Sequence, residues 1–582
     1  MVPKGFKKIT RVAGKQIEYM SDTTSYLFSM SSRSLVSVSS SKEETIPHPS
    51  KDSSAMANAL LWTNLIPPMP IIASTMYRHY AKGPPAKSWT LATDVTIAII
   101  RDFLQRSSRL TVEDLQKIST TKKLPVPQHL KRIKFTVPNS YRQRAGEMMT
   151  KQLSKMDQHY IAWNWEKDKD TAPPLKGEWL QAKGNPLEPS KESTILYLHG
   201  GAYYLACYGI YRQFLSKIIK YSKGRTCAID YRLAPQHPFP AAVEDALATY
   251  LYLIDPPKDS EVEQPVDPKK IVVAGDSAGG GLTFALLMAI RDAGLPAPAG
   301  AMTLSPWMDL THSLPSILSN IMTDYLPPIG FKHAPSVALD YAQLPAREKD
   351  VELLEKLAKE AETSDNKEEA QRQSIGPFGE CVPLNGSDIH RVQFYASNEA
   401  LKVPMVSPIF DRKQLRGLPR LLVQCGTAER LRDESIYSAL QASNTFPGST
   451  NTKNEHDNTQ VTLEMFTDQP HVFQLLFSNK STTQALKNLG AFVRDVTNSP
   501  VPFEYKRGNN PTSYLIDDSL TVKRISPAGH VSDTKTELLK QLTKETWQDW
   551  ENRLARPSLK QRMDEVALAY EECTKKALSS IP

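Results

Sequence analysis

Residues 275–279 read Gly-Asp-Ser-Ala-Gly and follow the apolar run IVVA at 271–274. An apolar helical pattern, "GLTFALLMAIRDAG", starts immediately after them. A serine flanked two positions either side by glycine, between a strand and a helix, is the arrangement of a nucleophile elbow. The turn is too tight for side chains on its flanks, so glycines fit Gly275 and Gly279. The Ser277 hydroxyl is then thrown out at the carboxyl end of the strand. The helix behind it aims N–H groups, that of Ala278 first, and the positive end of its dipole at any anion that develops there. The chemistry this suits is attack of an activated hydroxyl on an acyl carbon.

A second stretch, "LYLHGGAYYL" at 196–205, ends a strand-like run at a histidine and two glycines. An acyl transfer passes through a tetrahedral oxyanion, which needs fixed hydrogen-bond donors close by. Gly200 and Gly201 carry no Cβ, so their amides are expected to approach that oxygen, together with the amide of Ala278. Ala202 stands where an HGGG-type loop has its third glycine. His199 is expected to orient the loop.

A serine nucleophile needs a base, and the base needs an orienting acid. "MFTDQPHVFQLL" presents His471 just beyond a strand, ahead of an apolar helical run. His456 lies in the polar stretch "TKNEHDNTQ", and His237 in "APQHPFP" has no strand-end placement. His471 is therefore the expected base. For the acid, "VQCGTAERLRDES" offers Glu429 and Asp433 behind another strand. Glu429 is favoured by its distance past that strand; Asp433 also suits the N-terminus of the following helix, where a carboxylate is stabilising.

These side chains must be carried by a common frame. "TILYLHG", "RTCAIDYR", "IVVAGDS", "AGAMTLSPW", "RLLVQCG" and "VTLEMF" read as strands. "YRQFLSKIIKYS", "AAVEDALATYLYLI", "GLTFALLMAIRDAG" and "ESIYSALQAS" between them read as helices. Such alternation predicts βαβ units and an α/β fold with a mainly parallel sheet. "SWTLATDVTIAIIRDFL" (88–104) has apolar residues at helical spacing. "TELLKQLTKETWQDWENRLA" places Leu539, Thr543, Trp547, Trp550 and Leu554 along one helical side. The charged run at 347–373 reads as a solvated helix and linker, and the Ser-rich residues 30–55 as a disordered tether.

The 582 residues carry a formal charge of +8, with basic and acidic residues interleaved. That argues against a nucleic-acid-binding stripe. Five dispersed cysteines with no CxxC pair point to neither a zinc site nor a disulfide framework, and to a reducing, intracellular, cytoplasmic setting. No run of about 18 apolar residues is present. "ANALLWTNLIPPMPIIASTMY" comes nearest and is broken by Pro67, Pro68 and Pro70; it suits a buried segment or a membrane-interface helix.

With these pieces assembled, the chain resembles the hormone-sensitive lipase family of α/β-hydrolases, which includes arylacetamide deacetylase-like and steryl-acetate-hydrolase-like enzymes. The resemblance rests on "HGGAYYLACYGIYR", "DYRLAPQHPFPAAVEDALATY", "GDSAGGGL", "SPWMDLTHS", and "AERLRDES" with "HVF", in that order, across about residues 190–495. The resemblance implies an α/β-hydrolase fold and a serine carboxylic-ester hydrolase acting on small apolar esters, with no metal or organic cofactor. It places the acid at Glu429, where the family usually has aspartate, and makes Asp276, Trp307 and Asp309 structural supports. Some relatives in the superfamily keep the pocket as non-catalytic small-molecule binders, which is the alternative reading.

The expected organisation is an N-terminal extension (1–80, partly disordered), a helical lid region (81–190), the α/β-hydrolase domain (191–499) with a polar insertion at 345–390, and a helical C-terminal extension (500–582). The two extensions are the candidates for peripheral contact with the endoplasmic reticulum or lipid droplets, or for a scaffold role. Oligomeric state and acyl preference are not legible in the sequence.

Overall fold

The computed structural model describes residues 69–579 except 122, 155–156, 159–160, 162–171, 185–191, 259–263, 335, 337, 339–374, 377–378, 381–391, 448–457, 499–518 and 557. The Ser-rich tether and the charged run at 347–373 therefore lie outside the described residues.

The frame is a ten-stranded sheet. In chain order its strands are β1 (Leu130–Val137), β2 (Leu175–Ala182), β3 (Thr194–Leu198), β4 (Arg225–Asp230), β5 (Ile271–Asp276), β6 (Gly300–Leu304), β7 (Arg420–Gly426), β8 (Val461–Phe466), β9 (Leu520–Ile525) and β10 (Val531–Asp533). Their spatial order is β1-β2-β4-β3-β5-β6-β7-β8-β9-β10. From β4 to β9 every neighbouring pair is parallel; β1, β2 and β10 join antiparallel at the two margins.

The parallel centre follows from residue type. β3 and β5 are buried at every position, as strands covered on both faces must be. Alternate residues serve opposite layers. Ile195, Tyr197, Val272 and Ala274 pack with Phe214, Leu215 and Ile218 of α5 (Arg212–Ser222) and Leu489 and Val493 of α9 (Lys480–Asn498). Leu196, Leu198, Ile271 and Val273 face the other way, into the cluster formed with α6 (Ala241–Ile254) and α7 (Ala278–Asp292).

The register sets the site. Leu198 lies opposite Gly275, Asp276 opposite Leu304, Leu304 opposite Gln424, and Gly426 opposite Phe466. The residues that follow β3, β5, β6, β7 and β8 thus emerge along one rim, the carboxyl edge of the parallel strands, where open α/β sheets bind ligands.

Two margins differ from the helical regions expected at 81–190 and 500–582. The first holds α2 (Leu91–Arg106), α3 (Val112–Thr121) and α4 (Asn139–Gln152), but also β1 and β2; the described part of the second holds β9 and β10 ahead of its helices. β1 alternates buried ends with exposed basic residues, the pattern of a strand with one wet face. The C-terminal pattern read as one helix is two, α10 (Lys535–Gln541) and α11 (Lys544–Ala555), because Thr543 caps α11 through the Thr546 amide. Leu538 and Leu542 join Trp547, Trp550 and Leu554 in the core, Leu539 packs partly buried against it, and Thr543 is exposed. α12 (Leu559–Ser579) follows, α1 (Met69–Lys82) precedes α2, and α8 (Arg432–Ser443) lies between β7 and β8. Among the described residues no helix is long and apolar enough to cross a membrane.

Candidate active site

Ser277 sits between β5 and α7 with φ 53° and ψ −122°, a conformation seldom taken by a residue with a side chain. The flanks explain it. A Cβ on Gly275 would come 2.2 Å from the Gly279 carbonyl oxygen, and one on Gly279 would come 2.0 Å from that of Leu198. The turn is pinned by its own backbone: the Ser277 amide donates to the Leu304 carbonyl at 2.9 Å, and the Trp307 amide donates to the Ser277 carbonyl at 2.9 Å.

His471 leaves β8 and is buried, with its Nε2 2.9 Å from Ser277 Oγ. Burial holds its pKa down to about 4, against the opposing charge of Asp324. The imidazole is therefore neutral at pH 7. Glu429, behind β7, is fully buried; its Oε2 accepts from Ser305 Oγ at 2.6 Å and from the Gly426 amide at 2.9 Å. Burial pushes its carboxyl well up, while those two hydrogen bonds pull the other way. Glu429 Oε1 and His471 Nδ1 are each buried and make no hydrogen bond among the described residues. Asp433 points elsewhere: its Oδ2 accepts the Ser316 amide at 2.8 Å and its Oδ1 accepts from Arg432 at 2.7 Å.

The glycine loop requires one correction. The Gly200 amide donates to Asp276 Oδ1 at 3.0 Å and to Tyr211 Oη at 3.1 Å, so it is engaged inside the fold. It is unavailable to an oxyanion. The amides of Gly201, Ala202 and Ala278 make no such internal bond among the described residues, and Gly201 and Ala202 line the cavity beside Ser277. Gly201 has φ 111°, and a Cβ there would meet the Leu205 carbonyl oxygen at 2.3 Å. Asp276 is the hub of this loop, taking hydroxyls from Tyr197 (2.7 Å) and Tyr211 (3.1 Å) as well; burial raises its carboxyl to about 6. His199 stacks on Tyr231 with centroids 4.3 Å apart and holds the Gly200 carbonyl through Nδ1 at 2.8 Å. It is a prop of the loop, remote from proton transfer.

Two residues escaped the sequence reading. Ser305 Oγ, besides donating to Glu429, accepts the Val472 amide at 3.1 Å. Asp324, also buried, accepts the amides of Arg430 (2.6 Å), Tyr325 (2.7 Å) and His471 (3.4 Å). Ser305 had a signal, a polar residue at the very end of a strand; Asp324 had none.

Above these groups lies a cavity of about 270 Å³. Its lining is chiefly apolar and includes Ile99, Ile100, Phe103 and Leu104 of α2 and Leu475 and Leu476 behind His471. Arg101 anchors α2 to the segment 321–324, donating to the carbonyls of Asp324 (2.7 Å) and Ile321 (3.0 Å).

A family model described as alpha/beta hydrolase fold matches residues 195–334. An acetyl-hydrolase of Streptomyces hygroscopicus is 31% identical over 306 residues, covering 52% of this chain and 76% of that protein. The chain belongs to the α/β-hydrolases. An esterase of Acinetobacter venetianus is 29% identical to this α/β-hydrolase over 164 residues, which span 27% of the chain and 50% of that relative. A solved esterase from the bacterial hormone-sensitive lipase family aligns with 74% of the chain and 98% of its own, at 24% identity and a TM-score of 0.40. The α/β-hydrolase membership expected from the five sequence blocks stands. The protein falls with the carboxylesterases and acetyl-hydrolases of the α/β-hydrolase superfamily.

Proposed function

We propose that this α/β-hydrolase cleaves apolar carboxylic esters through Ser277, His471 and Glu429. The observation that carries the reading is the 2.9 Å approach of a neutral, buried imidazole nitrogen to the elbow serine's hydroxyl, at the floor of an apolar cavity. His471 Nε2 takes the hydroxyl proton as Ser277 Oγ bonds to the acyl carbon, and the carbonyl electron pair moves onto its oxygen. The amides of Gly201, Ala202 and Ala278 receive that oxyanion. As the intermediate collapses, the C–O bond to the alcohol breaks and His471 returns the proton to the departing oxygen. Water then repeats the sequence on the acyl-enzyme and releases the acid.

Glu429 is assigned to orient the imidazole. A buried N–H and a buried carboxylate oxygen each cost about 1–3 kcal/mol when unpaired, so His471 Nδ1 and Glu429 Oε1 are natural partners for each other. Ser305 supports the pairing by holding both the carboxylate and the His471 loop.

The test is hydrolysis of p-nitrophenyl acetate, butyrate and octanoate by the purified full chain and by Ser277→Ala. Turnover should be present in the first and lost in the second, with an unchanged circular dichroism spectrum. Diethyl p-nitrophenyl phosphate should label Ser277 covalently. A native protein that neither turns over an ester nor takes the label, yet binds apolar ligands, would instead be a non-catalytic receptor.

A further inference from the structure

Trp307 and His312 make part of the cavity wall, and their rings lie 5.8 Å apart between centroids. His312 has φ 53°, in the left-handed region that is uncommon for any residue other than glycine. Its two neighbours are held in place. Asp309 Oδ1 accepts the Thr311 amide at 2.9 Å and also the Thr311 hydroxyl, while Oδ2 accepts the Ser313 amide at 2.7 Å. The two hydroxyls meet each other at 2.8 Å. Residues 311 and 313 are thus clamped on both sides of His312.

The clamp is closed from a distant part of the chain. Arg562, near the start of α12, is buried, and its Nη1 donates to the hydroxyls of both Thr311 and Ser313. Its Nη2 donates to the carbonyls of Arg553 (2.7 Å), Leu554 (3.1 Å) and Arg556 (2.8 Å) at the end of α11. One rigid guanidinium fork therefore ties the C-terminal helices to the turn that presents His312, which an ammonium group could not do at so many points. Asp309 offsets its buried charge. The same turn leads back to the nucleophile, since the Trp307 indole donates to the Asp309 carbonyl at 3.2 Å and the Trp307 amide holds Ser277.

We infer that Arg562 is a specificity-determining positioning residue: from the C-terminal helices it fixes His312 against Trp307 and so shapes the part of the cavity that receives the ester's apolar group. This rests on the cavity being the ester site. Arg562 reaches this turn from α12, some 250 residues further along the chain.

The experiment compares Arg562→Gln, Arg562→Lys and His312→Ala with the unaltered full chain on p-nitrophenyl acetate and octanoate. Arg562→Gln should change the octanoate-to-acetate ratio of kcat/KM at least about fivefold, chiefly through KM, the signature of altered ground-state binding. Arg562→Lys should fall between. His312→Ala should shift the ratio in the same sense, and adding it to Arg562→Gln should shift it little further, because both act through one wall. A ratio that stays constant while only thermal stability drops would make Arg562 merely structural and overturn the inference. Should Arg562→Gln fail to fold, Arg562→Lys and His312→Ala decide by the same ratio.

Should the unaltered chain hydrolyse no ester, the ester reading itself fails, and calorimetric binding of the unreactive p-nitrophenyl octyl ether reads the wall instead. A fivefold affinity change in the variants supports the role of Arg562. Equal affinity, or no binding to the unaltered chain, overturns it.

Discussion

Ser305 Oγ donates to Glu429 Oε2 at 2.6 Å while accepting the Val472 amide at 3.1 Å. One hydroxyl therefore spans the strand ends after β6, β7 and β8 and fixes Glu429 relative to the loop of His471. Ser305→Ala removes both bonds but leaves Ser277, His471 and Glu429 in place. A hydrogen bond to a charged group contributes about 1.5–3 kcal/mol, so kcat should fall about 10–100-fold with little change in KM. Steady-state kinetics on p-nitrophenyl butyrate check this; an unaltered kcat would remove Ser305 from the machinery.

Glu429→Gln keeps the shape of the acid and removes its charge. If the carboxylate holds the imidazole in its working tautomer, kcat should drop on the order of 10³–10⁴-fold. Asp433→Asn, whose carboxylate serves Ser316 and Arg432, should act through stability, seen as a lower melting temperature, far more than through kcat. The opposite ranking would transfer the role to Asp433.

The glycine loop distinguishes amide donors by substitution. Gly201→Ala places a Cβ against the Leu205 carbonyl at a positive φ, so the loop must shift and the oxyanion loses a donor. One such donor accounts for about 2.7–4 kcal/mol of transition-state stabilisation, and kcat should fall by roughly 10²–10³-fold. Ala202→Gly restores a third glycine and should retain activity within about threefold, since the amide persists. Burst kinetics would show the loss in the acylation step.

His471 must be neutral to accept the Ser277 proton. Burial depresses its pKa to about 4, below the ordinary value of about 6.5, so the base stays competent as pH falls and is lost only as pH passes through the lowered value. The acid limb of kcat/KM should accordingly lie well below 6.5. A limb at or above 6.5 would show that the Glu429 charge outweighs desolvation at this imidazole.

Trp547 of α11 stacks on Tyr437 with centroids 4.4 Å apart and on Phe446 at 5.0 Å. Trp547→Ala should cost about 3–5 kcal/mol, the range for emptying a buried aromatic site. Urea denaturation measures it. A loss under about 0.5 kcal/mol, the range of an ordinary surface change, would mean that the C-terminal helices are dispensable to the body.

Sequence alone determined the parts of this protein whose causes are local. Glycines at 275 and 279 permit the tight strand-to-helix turn, and the runs around β3 to β8 carry the apolar density of strands buried on both faces, so the elbow serine, the post-strand histidine at 471 and the parallel centre were legible. The margins were harder: β1, β9 and β10 expose one face or both, and their mixed composition resembles loop or helix.

Tertiary structure decided what depends on partners far apart in the chain. Gly200 and Gly201 look equivalent in sequence, yet Asp276, on another strand, takes the first amide and leaves the second available. Glu429 and Asp433 are separated by a turn; distance past the strand favours Glu429, and Ser305 beside one and Ser316 beside the other show how differently the two are held. Arg562 meets Thr311 across some 250 residues. Spacing along a chain encodes local conformation, whereas the choice among chemically similar donors and acceptors is made by which strand ends the sheet brings to the same rim.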